Sequence, residues 1–148
     1  MSRTLNAYLL AIAAVASAAI TAPLAARAGT SDPCALATAA DASTAMHVAS
    51  LPGKPHSSRR GSSCRYYSPN HQMNVYVQNV QPGDMIGAAQ LGGKAVPGIG
   101  DKAIWASGSM FVQKGGKVVQ VGLYLNPGSM QKMDPAIVPL AKTVAGRM

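Results

Sequence analysis

The sequence predicts an α+β fold, an antiparallel sheet of about five strands packed against N-terminal and C-terminal helices. Three observations predict it. The run MNVYVQNV over 73–80 alternates, Met73, Val75 and Val77 against Asn74, Tyr76 and Gln78, which is the period of a strand with one apolar face. Between Ala103 and Leu125, the runs AIWAS, SMFVQK and KVVQVGLYL carry Gly115-Gly116 at one junction, a two-residue hairpin signal. Finally, Ile137, Leu140, Ala141, Val144 and Met148 recur at helical spacing at the end of the chain.

The elements follow in order. Residues 1–28 read as an address label: Arg3 precedes an apolar run from Tyr8 to Ile20, then Pro23 and the small-residue triplet Ala26-Arg27-Ala28. That is the layout of a secretory signal peptide cleaved after Ala28. The apolar run is short of the about 20 residues a membrane helix needs. Cys34 follows Ser-Asp-Pro and no lipobox, so neither a transmembrane nor a lipid anchor is expected on the mature chain. What remains, residues 29–148, is the length of one secreted domain.

Pro33 suits a first helical residue, and Thr38 with Asp41 three positions on reads as a capping box. The helix runs toward His47, with Leu36, Ala40 and Met46 on a narrow apolar face and Leu51-Pro52-Gly53 as its stop. Residues 52–63, PGKPHSSRRGSS, hold no aliphatic side chain, so a mobile exposed loop is expected there. CRYYS and MNVYVQNV then bracket Pro69-Asn70-His71 as a hairpin with one wet face. Gln81-Pro82-Gly83 ends it, Asp84 opens a helix of about two turns, and Gly92-Gly93 closes that helix. In VPGIGDKAIW, over 96–105, two glycines flank an apolar residue, yet the third glycine of a dinucleotide loop is missing and a strand follows instead of a helix. The glycines are therefore turn chemistry. Asp134-Pro135 caps the last helix, whose first turn Pro139 bends or delays.

Charge narrows the partners. The chain has 13 Lys and Arg against 5 acids, every acid an Asp, and loss of Arg3 and Arg27 leaves the mature protein still strongly cationic. An exported cation meets anionic envelope components or acidic proteins before it meets nucleic acid. The basic stretch Lys54, Arg59, Arg60 and Arg65, with Tyr66 and Tyr67 beside it, contains no acid between Asp41 and Asp84. It is the candidate binding surface for an anion or protein partner, since arginine forks suit bidentate contacts and tyrosines supply flat area.

The chain's two cysteines, Cys34 and Cys64, allow one pairing, and in an oxidising compartment they predict a disulfide. Catalysis finds little to work with. His47, His56 and His71 lie in no nucleophile context, no G-x-S-x-G elbow exists, and the five Asp residues read as caps and turns. The expectation is a non-enzymatic binding module without a cofactor. A second reading is copper handling, because thioether and imidazole are Cu(I) ligands and His71, Met73, Met130 and Met133 form the nearest local pairs. Against it, methionine is common core filler and Met73 falls on the apolar side of its strand.

The order DPCALATAAD, a basic loop, SCRYY, VPGIGDKAIW, MFVQKGGKVVQVGLYL and a terminal Ala/Leu helix resembles small exported bacterial proteins of unknown function, including secreted actinobacterial lipoproteins. The resemblance implies a two-cysteine α+β domain and no activity. The lipidated cysteine of the lipoprotein members has no counterpart in this chain.

Overall fold

The computed structural model describes residues 32–125, 129–130 and 135–148. The expected leader at 1–28, Met133 and the capping Asp134 lie outside the described residues. Helix α1 (Pro33–Leu36) has Pro33 in its first turn and Asp32 as cap, its carboxylate accepting from the Cys34 amide at 3.0 Å. Helix α2 (Ala39–Met46) opens on the expected capping box: the Asp41 amide donates to the Thr38 hydroxyl at 3.2 Å and the Thr38 amide donates to the Asp41 carboxylate at 2.8 Å. It stops at His47, which turns left-handed at φ 56°, four residues before the Leu51-Pro52-Gly53 stop expected from sequence.

The next strands are β1 (Lys54–Ser58), β2 (Gly61–Tyr67) and β3 (Met73–Val80). β1 corrects the expected loop at 52–63. All five of its residues are exposed, as their polarity requires, but the backbone pairs with β2 from Lys54↔Arg65 to Ser58↔Gly61. Main-chain hydrogen bonds hold an edge strand without any side-chain burial, so composition gave no sign of it.

Helix α3 (Pro82–Gln90) starts at Gln81, whose amide donates to the Asp84 carboxylate at 2.8 Å, so Asp84 sits in the first turn and is not the cap. Then come β4 (Lys94–Ala95), β5 (Lys102–Ala106), β6 (Ser109–Lys114), β7 (Lys117–Leu125), β8 (Ser129–Met130) and α4 (Ile137–Arg147). The β6–β7 turn places Gly115 at φ 54° and Gly116 at φ 79°, the left-handed pair a two-residue hairpin demands. Gly98 and Gly100 also take positive φ, in the turn before β5, where no helix follows to receive a phosphate.

The sheet is antiparallel throughout, in the order β1-β2-β3-β7-β6-β5-β4, with β8 paired to the end of β7. The expected five strands are thus too few: seven lie along the sheet and β8 adds an eighth. The extra ones are β1 and the two-residue β4 and β8, too polar or too short to show a period of two.

The two faces of the sheet are covered differently. Val75, Val77, Met110, Val112, Val119 and Val121 line the face beneath α1, α2 and α4, where Leu36, Met46, Ile137, Leu140 and Val144 close the main core. Pro139 lies in the first turn of α4, where its missing amide costs no hydrogen bond. On the other face α3 packs on β5 and β7: Met85 and Ala88 meet Ile104, Ala106 and Val118, with Val80 and Phe111 at the margin. No described helix covers the remainder of that face.

Candidate functional site

The open part of the second face is a groove of about 980 Å³ between the β1–β2 hairpin and α3. Strand periodicity builds its floor. Because alternate residues share a face, the register stacks successive cross-strand rows: Tyr67–Asn74–Tyr124, then Lys54–Arg65–Tyr76–Gly122–Ser109, then His56–Ser63–Gln78–Gln120–Phe111. Within these rows Asn74, Tyr76, Gln78, Gln120 and Tyr124 line the groove.

Tyr76 sets the centre. Its ring lies across Gly122, where a Cβ would collide with the Tyr76 ring, so β7 needs a glycine at the crossing. The hydroxyl reaches Ser109 Oγ at 2.6 Å, and Tyr124 stacks beside it with ring centroids 5.0 Å apart and an interplanar angle of 16°. The Tyr124 hydroxyl donates to the Tyr76 hydroxyl at 3.4 Å. Burial pushes the Tyr76 phenol far above its ordinary value, with the Tyr124 contact adding to the rise and Ser109 and Arg65 offsetting part of it. Tyr76 was expected on the wet face of its strand; it is 5 % exposed instead. A neighbouring ring on the next strand, invisible in the local pattern of β3, covers it.

The walls differ in chemistry. Arg59 and Arg60 are the two turn residues of the β1–β2 hairpin, whose close packing requires Gly61 at φ 121° with its Cα 's missing side chain facing the Asn79 carbonyl. The Gln78 amide donates to the Arg60 carbonyl at 3.4 Å and ties the turn to β3. Arg65 joins them from β2. Among the described residues no carboxylate pairs with any of these three arginines. Facing them, α3 contributes Gly83, Gly87 and Ala88, and Leu91 just past its end completes the wall. Among the described residues Asp84 is the one carboxylate in the lining, and it is engaged by the Gln81 amide.

Three of the sequence candidates, Arg59, Arg60 and Arg65, therefore converge on one groove. Lys54 stands opposite Arg65 on the exposed edge strand, outside the lining. Tyr66 faces the other way: it is 2 % exposed in the main core, and its hydroxyl donates to the Ala37 carbonyl at 2.6 Å. Alternation along β2 sends Arg65 and Tyr66 to opposite faces, so the two cannot serve one surface. Tyr67 is half-buried beside His71, with ring centroids 5.4 Å apart. The groove residues the sequence did not single out, Gln120 and Tyr124 above all, lie on a strand whose polar positions read only as solvated.

Cys34 and Cys64 form the predicted disulfide, S–S 2.09 Å with Cα atoms 5.0 Å apart, which fastens α1 to β2. Of the alternative copper ligands, His71 sits in the β2–β3 turn, Met73 packs against the main core, Met130 lies in β8, and Met133 falls outside the described residues. Among the described residues no three His, Cys, Asp or Glu side chains gather as a metal would require. No described helix is long and apolar enough to cross a membrane. No protein-family model, curated protein or solved structure matches the chain.

Proposed function

We propose that this chain is an exported, non-enzymatic binding module of the periplasm or extracellular space, and that its groove holds an anionic envelope component or the acidic surface of a protein partner. One observation carries the reading: Arg59, Arg60 and Arg65 converge from the hairpin turn and β2 on a single concave surface, and no carboxylate pairs with them among the described residues. Like charges held together repel, and an anionic ligand removes that repulsion while gaining two-pronged guanidinium hydrogen bonds. The disulfide and the secretory character of residues 1–28 support an oxidising location. The groove is concave and of ligand size, as binding sites commonly are.

Replacing Arg59, Arg60 and Arg65 together by Ser is expected to abolish retention of the protein on isolated envelopes at low ionic strength. A control that replaces the exposed Lys94, Lys102 and Lys142 by Ser removes the same charge elsewhere and is expected to keep retention. Equal loss in both variants would reduce the effect to net charge, and unchanged retention in the arginine variant would overturn the reading.

A further inference from the structure

We infer that the ligand of this groove is an acidic saccharide, a short stretch of sugar units bearing carboxylate or phosphate groups. The inference rests on the anion-binding reading above and specifies the rest of the ligand from the chemistry of the floor. Gln78 and Gln120 are direct cross-strand partners, and Asn74 pairs with Tyr124 four residues along the same strands. The floor is thus a paired array of amides and a phenol, planar groups that both donate and accept. No hydrogen bond from another described residue engages the side-chain amide of Asn74 or Gln120.

An acyl chain laid over this floor would strip water from the amides and return no hydrogen bond, which costs binding for every group covered. A peptide is also poorly served. Peptides commonly add to a sheet through an open edge, but the floor strands β3 and β7 are interior and both their ladders are filled. The floor of the groove therefore offers side chains and no strand edge. Its ligand must bring its own dense array of donors and acceptors around a compact body, which sugar hydroxyls do. The half-buried Tyr124 ring, backed by Tyr76, adds a stiff apolar surface on which the C–H face of a sugar packs. Arg59, Arg60 and Arg65 then pair with the acid groups along one wall.

The test compares trigalacturonate with triglutamate, each titrated calorimetrically into the mature protein at low salt, and adds retention on anionic phospholipid vesicles. Trigalacturonate is expected to bind at least about tenfold more tightly than triglutamate, the scale of one or two lost hydrogen bonds. The double variant Asn74→Ala, Gln120→Ala is expected to erase that preference and leave triglutamate unchanged, because neither side chain holds the arginine turn, whereas Arg59→Ser, Arg60→Ser weakens both. Side-chain amide resonances of Asn74, Gln78 and Gln120 in the unmodified protein are expected to shift with trigalacturonate, a readout that survives if the double variant fails to fold. Equal affinity for the two trianions, or a preference indifferent to the floor variant, overturns the saccharide while the arginine-dependent anion site stands. Tighter retention on vesicles than on trigalacturonate overturns it in favour of a lipid. Absence of binding to every anion, together with envelopes that do not retain the protein, removes both readings.

Discussion

Tyr76 depends on an atom that is missing. Its ring occupies the space where a Gly122 side chain would stand, and its hydroxyl ends in a pocket closed by Ser109. Gly122→Ala is therefore expected to displace the ring and lower stability by about 1–3 kcal/mol, the usual range for overpacking, as a fall in the denaturant midpoint. The variant should also weaken trigalacturonate binding, because the displaced ring carries the stacked Tyr124 with it. The phenols give a second prediction. Burial raises Tyr66, with the nearby Asp41 and Asp32 charges adding to it, and burial raises Tyr76 further. A raised phenol favours the neutral form in the folded state, so its contribution is whole below the ordinary value of 10.0 and is lost as pH rises through the folded value. Ultraviolet titration of the native protein should thus show two phenols that ionise only as the chain unfolds in alkali, and Tyr66→Phe and Tyr76→Phe should each remove one. If both ionise near pH 10 with the fold intact, the packing described for them is wrong. Neither burial was legible in the sequence: Tyr66 stands next to Arg65, Tyr76 falls on the polar side of its strand's alternation, and each is covered by an element distant along the chain.

Among elements, the end of α4 is pinned to the start of the domain. The Arg147 guanidinium holds the Asp41 carboxylate at 2.6 Å and donates to the Leu36 carbonyl at 3.2 Å, so α4, α2 and α1 meet at one cation. Burial by itself would raise the Asp41 carboxyl, but hydrogen bonds from Arg147 and Thr38 outweigh it and hold the group below its ordinary 3.8. A lowered carboxyl contributes stability above its unfolded value and loses it as pH falls through the folded one. Asp41→Asn is expected to cost about 1 kcal/mol at neutral pH, as a weakened capping box and a lost partner for Arg147, and to flatten the fall of stability below about pH 4. A pH profile of unfolding that is parallel in the two proteins would contradict this. The capping box that supplies half of the arrangement was legible, because it lies within four consecutive residues. The Arg147 contact was not, because it spans more than a hundred. β1 illustrates the reverse limit: its backbone pairs by register with β2 while its side chains carry no pattern at all.

For the molecule as a whole, the Cys34–Cys64 bond joins residues 30 apart and fixes α1 to the sheet. Removing a cross-link around such a loop lowers stability by about 3–4 kcal/mol through the entropy returned to the unfolded chain, a large part of the about 5–15 kcal/mol typical of a domain. The double variant Cys34→Ala, Cys64→Ala should unfold at a clearly lower denaturant concentration while keeping the sheet. Intact mass of the protein isolated from its native source is expected to correspond to a chain beginning at Gly29 with both sulfurs oxidised; an uncut leader or two alkylatable thiols would withdraw the oxidising location on which the proposed function draws.

The amino-acid sequence determined by itself what local rules control: the strand pattern of 73–80, the Gly115-Gly116 turn, the capping box at Thr38, the apolar stripe of the last helix and the one possible cysteine pair. Each of these is written within a few residues, or by elimination. Tertiary structure alone decided which side of each strand is covered. Alternation states that Arg65 and Tyr66 point apart, but only the placing of α1, α2 and α4 on one face and α3 on part of the other makes Tyr66 core and leaves Arg65 beside Gln78, Gln120 and Tyr124. A groove belongs to the space between elements, and the energy of their packing, spread over contacts far apart in the chain, is what shapes it.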